Sequence, residues 1–119
     1  MGIVHHPRYV VYFEIARTAF LRDLGLPYSE MLQTGTHLAV LEVDVRHKGA
    51  ARYDEDLEVR TWCTECGRTR VTLEYEVRRG EQLLAIGRTR LGAVTPAGKA
   101  TRLPVEFRSV VGPHVIRTE

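Results

Sequence analysis

The sequence predicts an α+β domain in which one long helix covers one face of an antiparallel sheet. Apolar residues recur every three or four positions near the start of the chain and at every second position after about residue 40. A helix repeats every 3.6 residues and a half-buried strand every two, so the change of period separates the two kinds of element. With 119 residues, 44% of them hydrophobic, we expect a single domain over residues 1–119 with one packed core.

The first element is predicted to be a helix over residues 7–24. Pro7 suits the first turn, where its missing N–H costs no hydrogen bond, and Gly25 suits the position just past the end. A second short helix is predicted over residues 28–34. The buried face of the long helix is expected to consist of side chains at helical spacing, with Arg17 as its polar break: Val10, Phe13, Arg17, Phe20, Leu21 and Leu24.

Four strands are predicted from the alternation of apolar and polar residues. In the first of them, Leu41, Val43 and Val45 are expected to share the buried face. Because the strands follow one another through short turns that contain glycine, we expect an antiparallel meander. A last short helix is expected over residues 104–111. The four predicted strands cover residues 41–46, 57–64, 70–78 and 82–94.

The charge pattern argues against two classes of partner. The chain has 17 Lys and Arg against 15 Asp and Glu, intermixed along the sequence, which weighs against nucleic-acid binding by bulk electrostatics. No apolar run approaches the ~18–20 residues that a membrane-spanning helix needs. The N-terminal residues also lack the order of a signal peptide. We therefore expect a cytoplasmic protein with no nucleic-acid and no membrane partner.

Cysteines and histidines give no pattern typical of a metal or a cofactor. Cys63 and Cys66 form a C-x-x-C motif, but a zinc site needs further ligands at suitable spacing. A redox motif of this kind belongs at a helix N-terminus, whereas these two residues fall at a predicted strand end. The adjacent His5 and His6 lack an evident third ligand. We expect structural cysteines, no metal site and no cofactor.

The N-terminal segment carries a more specific pattern. Residues 1–9 read Met-Gly-Ile-Val-His-His-Pro-Arg-Tyr, and residues 12–17 read Tyr-Phe-Glu-Ile-Ala-Arg. This segment resembles the signature of the 4-hydroxybenzoyl-CoA thioesterase-like, YbgC-type branch of the hotdog-fold thioesterases. Looser similarity continues through residues 51–59 and 67–77.

The resemblance implies a hotdog fold, which is a long central helix wrapped by a curved antiparallel sheet. It implies a homodimer, or a homotetramer built as a dimer of dimers, that hydrolyses an acyl-CoA thioester. The site would lie between the helix start of one subunit and strands of the other. The backbone N–H of His6 would polarise the thioester carbonyl, with its side chain as a second possibility. The remaining implied contacts are Val4, His5, Tyr9 and Tyr12 with the substrate, and Arg68 and Arg70 with the phosphates of CoA.

One feature of the family pattern is missing from the given chain. The pattern opens with an Asp that acts as nucleophile or general base, preceded by a strand, and this Asp would fall two places before Met1. Either the start codon is assigned too late or the chain is a truncated homologue. Glu14, about two helical turns from His6, is expected to be structural. The alternatives are a catalytically weak acyl-CoA-binding module on the same fold and a hotdog dehydratase; the acyl group is not specified.

Overall fold

The computed structural model describes residues 6–26, 31, 33–49 and 56–116, and its elements confirm the α+β class. Each predicted strand is present, although the first begins at His37 rather than at residue 41. Met31 and Gln33 have helical backbone, and the other residues of the short helix predicted over 28–34 are mostly outside the described ones. In chain order, the elements are helix α1 (His6–Asp23), strands β1 (His37–His47), β2 (Glu58–Cys66), β3 (Arg70–Arg79) and β4 (Gln82–Val94), helix α2 (Val105–Val111) and a 3₁₀ turn (Gly112–His114).

The four strands form one antiparallel sheet in the order β1-β4-β3-β2. Strands β2, β3 and β4 make a meander as predicted, but β1 pairs with β4 and not with β2. The prediction of a simple four-stranded meander is therefore wrong, because the chain crosses from one edge of the sheet to the other between β1 and β2. Alternation along a strand reports which of its faces is buried and carries no information about which neighbour it pairs with.

A β-bulge changes the phase of β1. Val40 pairs with Leu91 and Glu42 with Arg90, so Leu41 is left without a partner across the ladder. The bulge turns Leu41 to the outer face, where its Cδ1 lies 3.0 Å from the position of a Cβ built on Gly92. The expectation that Leu41 shares a buried face with Val43 is wrong, because an extra residue in one strand shifts every later side chain by one.

Helix α1 packs against the inner face of the sheet, which carries the buried residues of β3 and β4. Phe13 is fully buried and stacks on Tyr75, with ring centroids 4.5 Å apart and an interplanar angle of 15°. The predicted buried face of α1 is correct for Phe13 and Leu21, and it omits Tyr9, which is 1% exposed. Within the described residues, no helix has both the length and the apolar character needed to cross a membrane.

The C-terminal residues pack at the β2 edge of the sheet. Phe107 and Val111 of α2 are buried, and the chain then runs beside β2. The N–H of Ile116 donates to the carbonyl oxygen of Cys63 at 2.8 Å, and Val115 forms a parallel bridge with the same residue. The segment therefore satisfies part of the hydrogen-bonding capacity of this edge strand.

Candidate active site

The start of α1 is the first component of the candidate site. The helix begins at His6, and the first amides of a helix have no intrahelical acceptor. No acidic residue lies in the first turn of α1, so the positive end of its dipole is not neutralised by a carboxylate within that turn. Val4 and His5 lie outside the described residues, and only the backbone of His6 is described.

Two tyrosines predicted to contact the substrate form an aromatic cluster above this helix start. Tyr9 is 1% exposed and belongs to the core, whereas Tyr12 is half-buried. Their rings meet edge to face, with centroids 6.0 Å apart and an interplanar angle of 87°. Tyr9 is therefore the enclosed member of the pair, and Tyr12 is the more accessible of the two rings.

His47 is the third member of the cluster and was missed as a site residue by the sequence reasoning. Its ring lies against Tyr9, with centroids 5.2 Å apart and an interplanar angle of 62°. The side chain is exposed, and the residue pairs with Ala85 of β4 at the last position of β1. The sequence pattern could have indicated this position, because His47 continues the alternation of Val43 and Val45, whose side chains lie on the face of the sheet that packs against α1.

Two backbone hydrogen bonds hold the chain in place directly after β1. The N–H groups of Lys48 and Gly49 both donate to the carbonyl oxygen of Leu84, at 2.8 and 3.1 Å. The Leu84 side chain is fully buried and packs against this turn. Its Cδ2 lies 3.1 Å from the position of a Cβ built on Gly49. These contacts anchor the end of β1 and with it the position of His47.

A cavity of about 280 Å³ opens between α1 and the inner face of β1. Glu14 and Arg17 line this cavity, so both side chains border open space and are not enclosed by packed residues. Since polar and apolar groups both line it, the cavity suits a small ligand with a hydrogen-bonding group. The lining residues are Glu14, Arg17, Thr18, Leu21, Leu38 and Val40.

Arg68 and Arg70 lie at the opposite end of the sheet from the aromatic cluster. Both side chains are exposed, and the carbonyl oxygen of Arg68 accepts the N–H of Leu103 at 2.7 Å, which places the exposed Arg102 nearby. Arg70 pairs with Gly92, whereas His47 pairs with Ala85, seven residues earlier on β4. At ~3.3 Å per residue this is about 23 Å, so one chain does not bring these arginines to its own helix start.

The two cysteines lie apart from the cluster, on β2. Both are free thiols, with Cys63 fully buried and Cys66 half-buried. Burial raises the pKa of Cys63 to about 11, and burial also raises the pKa of Cys66. A high pKa disfavours the thiolate, which is the nucleophilic and metal-binding form. No group of three or more potential metal ligands occurs among the residues that the structure describes.

Comparisons with known proteins show the family to which this chain belongs. Residues 1–86 match the thioesterase superfamily. The chain belongs to this superfamily, and its resemblance to YbgC-type hotdog thioesterases is confirmed. Membership supports hydrolysis of a thioester as the class of reaction.

Three relatives illustrate the similarity. YneP of Bacillus subtilis is 31% identical over 108 residues, which cover 91% of this chain and 77% of YneP. The acyl-CoA thioester hydrolase YbgC of Escherichia coli is 28% identical over 83 residues, covering 70% of this chain and 62% of YbgC. The crystal structure of DHNA-CoA thioesterase from Staphylococcus aureus superposes with a TM-score of 0.84 at 30% identity, covering 92% and 74% of the two chains. The predicted hotdog fold is therefore confirmed.

Proposed function

We propose that the protein hydrolyses an acyl-CoA thioester to the free acid and CoA. The observation that carries the proposal is the start of α1, whose first turn contains Tyr9 of the aromatic cluster and no acidic residue, in a chain of the thioesterase superfamily. Relatives named as acyl-CoA and DHNA-CoA thioesterases support CoA as the thiol part of the substrate.

Hydrolysis of a thioester needs a hydrogen-bond donor at the position where negative charge develops in the transition state. Attack on a thioester carbonyl places that charge on the carbonyl oxygen, and a backbone N–H at a helix start stabilises it. The N–H of His6 occupies the first position of α1. Loss of one such donor typically costs ~2.7–4 kcal/mol of transition-state stabilisation, which makes this amide the principal binding group for the oxyanion.

The working unit in this proposal is a homodimer joined through β1. This strand is one edge of the sheet, and it exposes Val40, Leu41 and Val43 by 40–49% each. On the adjoining helix, Val11 and Ile15 are 42% and 63% exposed. An edge strand with exposed apolar side chains is suited to pairing with a second copy of itself.

A two-fold axis at β1 would also complete the site. Antiparallel pairing of two β1 strands sets the N-terminal end of one beside the C-terminal end of the other. His37, at the N-terminal end, pairs with Val94 and so belongs to the same end of the sheet as Arg70. The arginine end of a second copy would then face the helix start of the first. Arg68 and Arg70 would bind the phosphates of a CoA whose thioester lies at that helix start.

Release of free thiol from short-chain, long-chain and aromatic acyl-CoAs tests the proposal. We expect hydrolysis of at least one class and an activity of His6→Ala within about threefold of wild type, because this variant keeps the backbone N–H. Arg68→Ala should raise the KM for that substrate. Arg60→Ala, a substitution on β2 away from the sheet end that carries Arg68 and Arg70, should leave this KM unchanged. Absence of hydrolysis with every thioester would refute the enzymatic proposal, and CoA binding without turnover would then indicate a binding module.

A further inference from the structure

One side of α1 faces the cavity beside β1 and carries two opposite charges. Val10, Glu14, Arg17 and Leu21 follow one another at helical intervals of four, three and four residues, so they lie on the same side of the helix. Three of them, Glu14, Arg17 and Leu21, line the cavity. We call these four residues the α1 seam.

The two charges at the centre of the α1 seam have no partner within the described residues. Arg17 is half-buried and Glu14 is exposed, and neither side chain forms an ion pair or a hydrogen bond in this part of the chain. The Thr18 hydroxyl donates to the backbone carbonyl oxygen of Glu14, at 2.9 Å, and not to its carboxylate. A guanidinium that is partly withdrawn from water is stabilised by a carboxylate against it. The α1 seam therefore has unused capacity to pair with one acid and one base.

The cavity is continuous with the edge strand at which the homodimer is proposed to form. Leu38 and Val40 of β1 line the cavity opposite the α1 seam, and Val40 is 49% exposed. In the described sheet, β1 is an edge strand. A second copy placed along β1 is therefore adjacent to the α1 seam.

Two-fold symmetry determines how the two helices would meet. Helix α1 runs antiparallel to β1, because Tyr9 contacts His47 at the end of the strand, whereas Leu21 and Leu38 line the cavity near its beginning. A two-fold axis that pairs two β1 strands antiparallel keeps both helices on the same face of the joined sheet. The helices are then antiparallel to each other, with their seams turned toward the axis.

We propose that the α1 seams of two copies pack against each other, with Glu14 of each copy paired to Arg17 of the other. The inference rests on the assembly in the proposed function. In a two-fold contact, position i meets position j and j meets i. The register that opposes positions 14 and 17 also opposes positions 10 and 21, so Val10 meets Leu21. The α1 seam thus pairs apolar with apolar residues and acid with base, and a second copy satisfies both charges of both chains at once.

Charge reversal in separate chains tests this pairing. Glu14→Arg makes both charged seam positions basic and Arg17→Glu makes both acidic, so either variant alone should form its homodimer at least about tenfold more weakly than wild type. Mixed together, the two variants oppose Arg to Glu at every contact. They should form a heterodimer well above the share of about one half that random pairing gives, as counted by native mass spectrometry. Within each chain the two charges stay alike, so a contact inside one chain cannot produce this preference.

The same exchange on β2 is the control. Glu58→Arg and Arg60→Glu reverse two exposed charges on the strand at the other edge of the described sheet. Their mixture should give the random share of heterodimer, and each variant should dimerise as wild type does. If a reversed seam variant does not fold, the Glu14→Gln/Arg17→Gln double variant provides the test. Its dimer should be weaker than that of wild type and less sensitive to NaCl.

The outcomes separate this inference from the enzymatic proposal. If the two seam variants each dimerise as tightly as wild type and mix at random, the inference is overturned and the cavity is left to a small ligand. A wild type that stays monomeric overturns the inference together with the proposed homodimer. Thiol release is measured separately, so a preferred heterodimer in a protein that hydrolyses no thioester would support the seam and refute the enzymatic proposal.

Discussion

The Phe13 ring occupies the space that a side chain at position 87 would need. A Cβ built on Gly87 would lie 2.2 Å from Cζ of Phe13, whose ring is already stacked on Tyr75. Since both rings are fully buried, neither has room to give way. Gly87 is therefore a point of close approach between α1 and the sheet.

We predict that Gly87→Ala destabilises the protein by about 1–3 kcal/mol, the usual cost of overpacking a core. Urea unfolding measures the change. Gly112→Ala is the matched control, because nothing lies within 4 Å of a Cβ built on Gly112 and its φ of −51° is helical. The control should be neutral or slightly stabilising. A Gly87→Ala loss below about 0.5 kcal/mol would show that α1 shifts at little cost.

Burial of Cys63 links the stability of the protein to alkaline pH. Burial raises the pKa of this thiol from 9.0 to about 11. Above pH 9 the unfolded chain releases the proton more readily than the folded chain, so ionisation favours unfolding. The stabilising contribution is complete below pH 9 and is lost as the pH rises toward 11.

The advantage of wild type over Cys63→Ala in free energy of unfolding should therefore shrink between pH 7.5 and pH 10. Val71→Ala, which truncates a buried residue of β3 that does not titrate, should cost the same at both pH values. Urea unfolding of the three proteins under reducing conditions provides the comparison. An unchanged wild-type advantage at pH 10 would contradict the pKa shift.

At the scale of elements, the outer face of the sheet is organised by charge. In β4, Arg88 lies 3.6 Å from Glu74 of β3, and Arg90 lies 3.6 Å from Glu42 of β1. Arg88 also pairs in register with Asp44 of β1. Arg88 is thus flanked by carboxylates on both neighbouring strands and Arg90 by one on β1, which favours the pairing of β1 with β4.

Charge reversal at the centre of this face should weaken the sheet. Arg88→Glu would place a carboxylate between Asp44 and Glu74, and we predict a loss of about 1 kcal/mol relative to Arg88→Gln. Because the side chain of Arg88 is 47% exposed, salt screens the repulsion, and 0.5 M NaCl should remove most of the difference. Equal stability of the two variants at low salt would show that the face tolerates any charge.

The sequence predicted elements well and their assembly less well, for physical reasons. The period of three to four located α1, and Gly25, with a φ of +81°, lies just beyond its end. The bulge at Leu41 and the β1–β4 pairing depend on contacts between distant residues, which local periodicity does not encode. His47 was not among the predicted site residues, because its strand was predicted to end at residue 46 and only the folded chain brings its ring to Tyr9.

At the scale of the whole molecule, the two halves of the proposed site lie about 23 Å apart in one chain, by the seven-residue offset along β4 at ~3.3 Å per residue. In the proposed homodimer, the arginine end of one copy would face the helix start of the other. The exposed apolar residues of β1 lie between these two ends, on the edge strand where such a meeting would occur. Assembly and activity should therefore be coupled.

We predict that Val43→Lys converts the proposed dimer to a monomer, because it places a charge on the inner face of the edge strand. Sedimentation equilibrium measures the mass, and thiol release measures the activity of the same samples. Val105→Lys is the control, since Val105 is 70% exposed on α2, which packs on β2 at the far edge of the sheet. The monomeric variant should keep its folded far-UV spectrum and lose hydrolysis, although its helix start is intact. A monomer that hydrolyses acyl-CoA as fast as wild type would show that one chain holds the complete site.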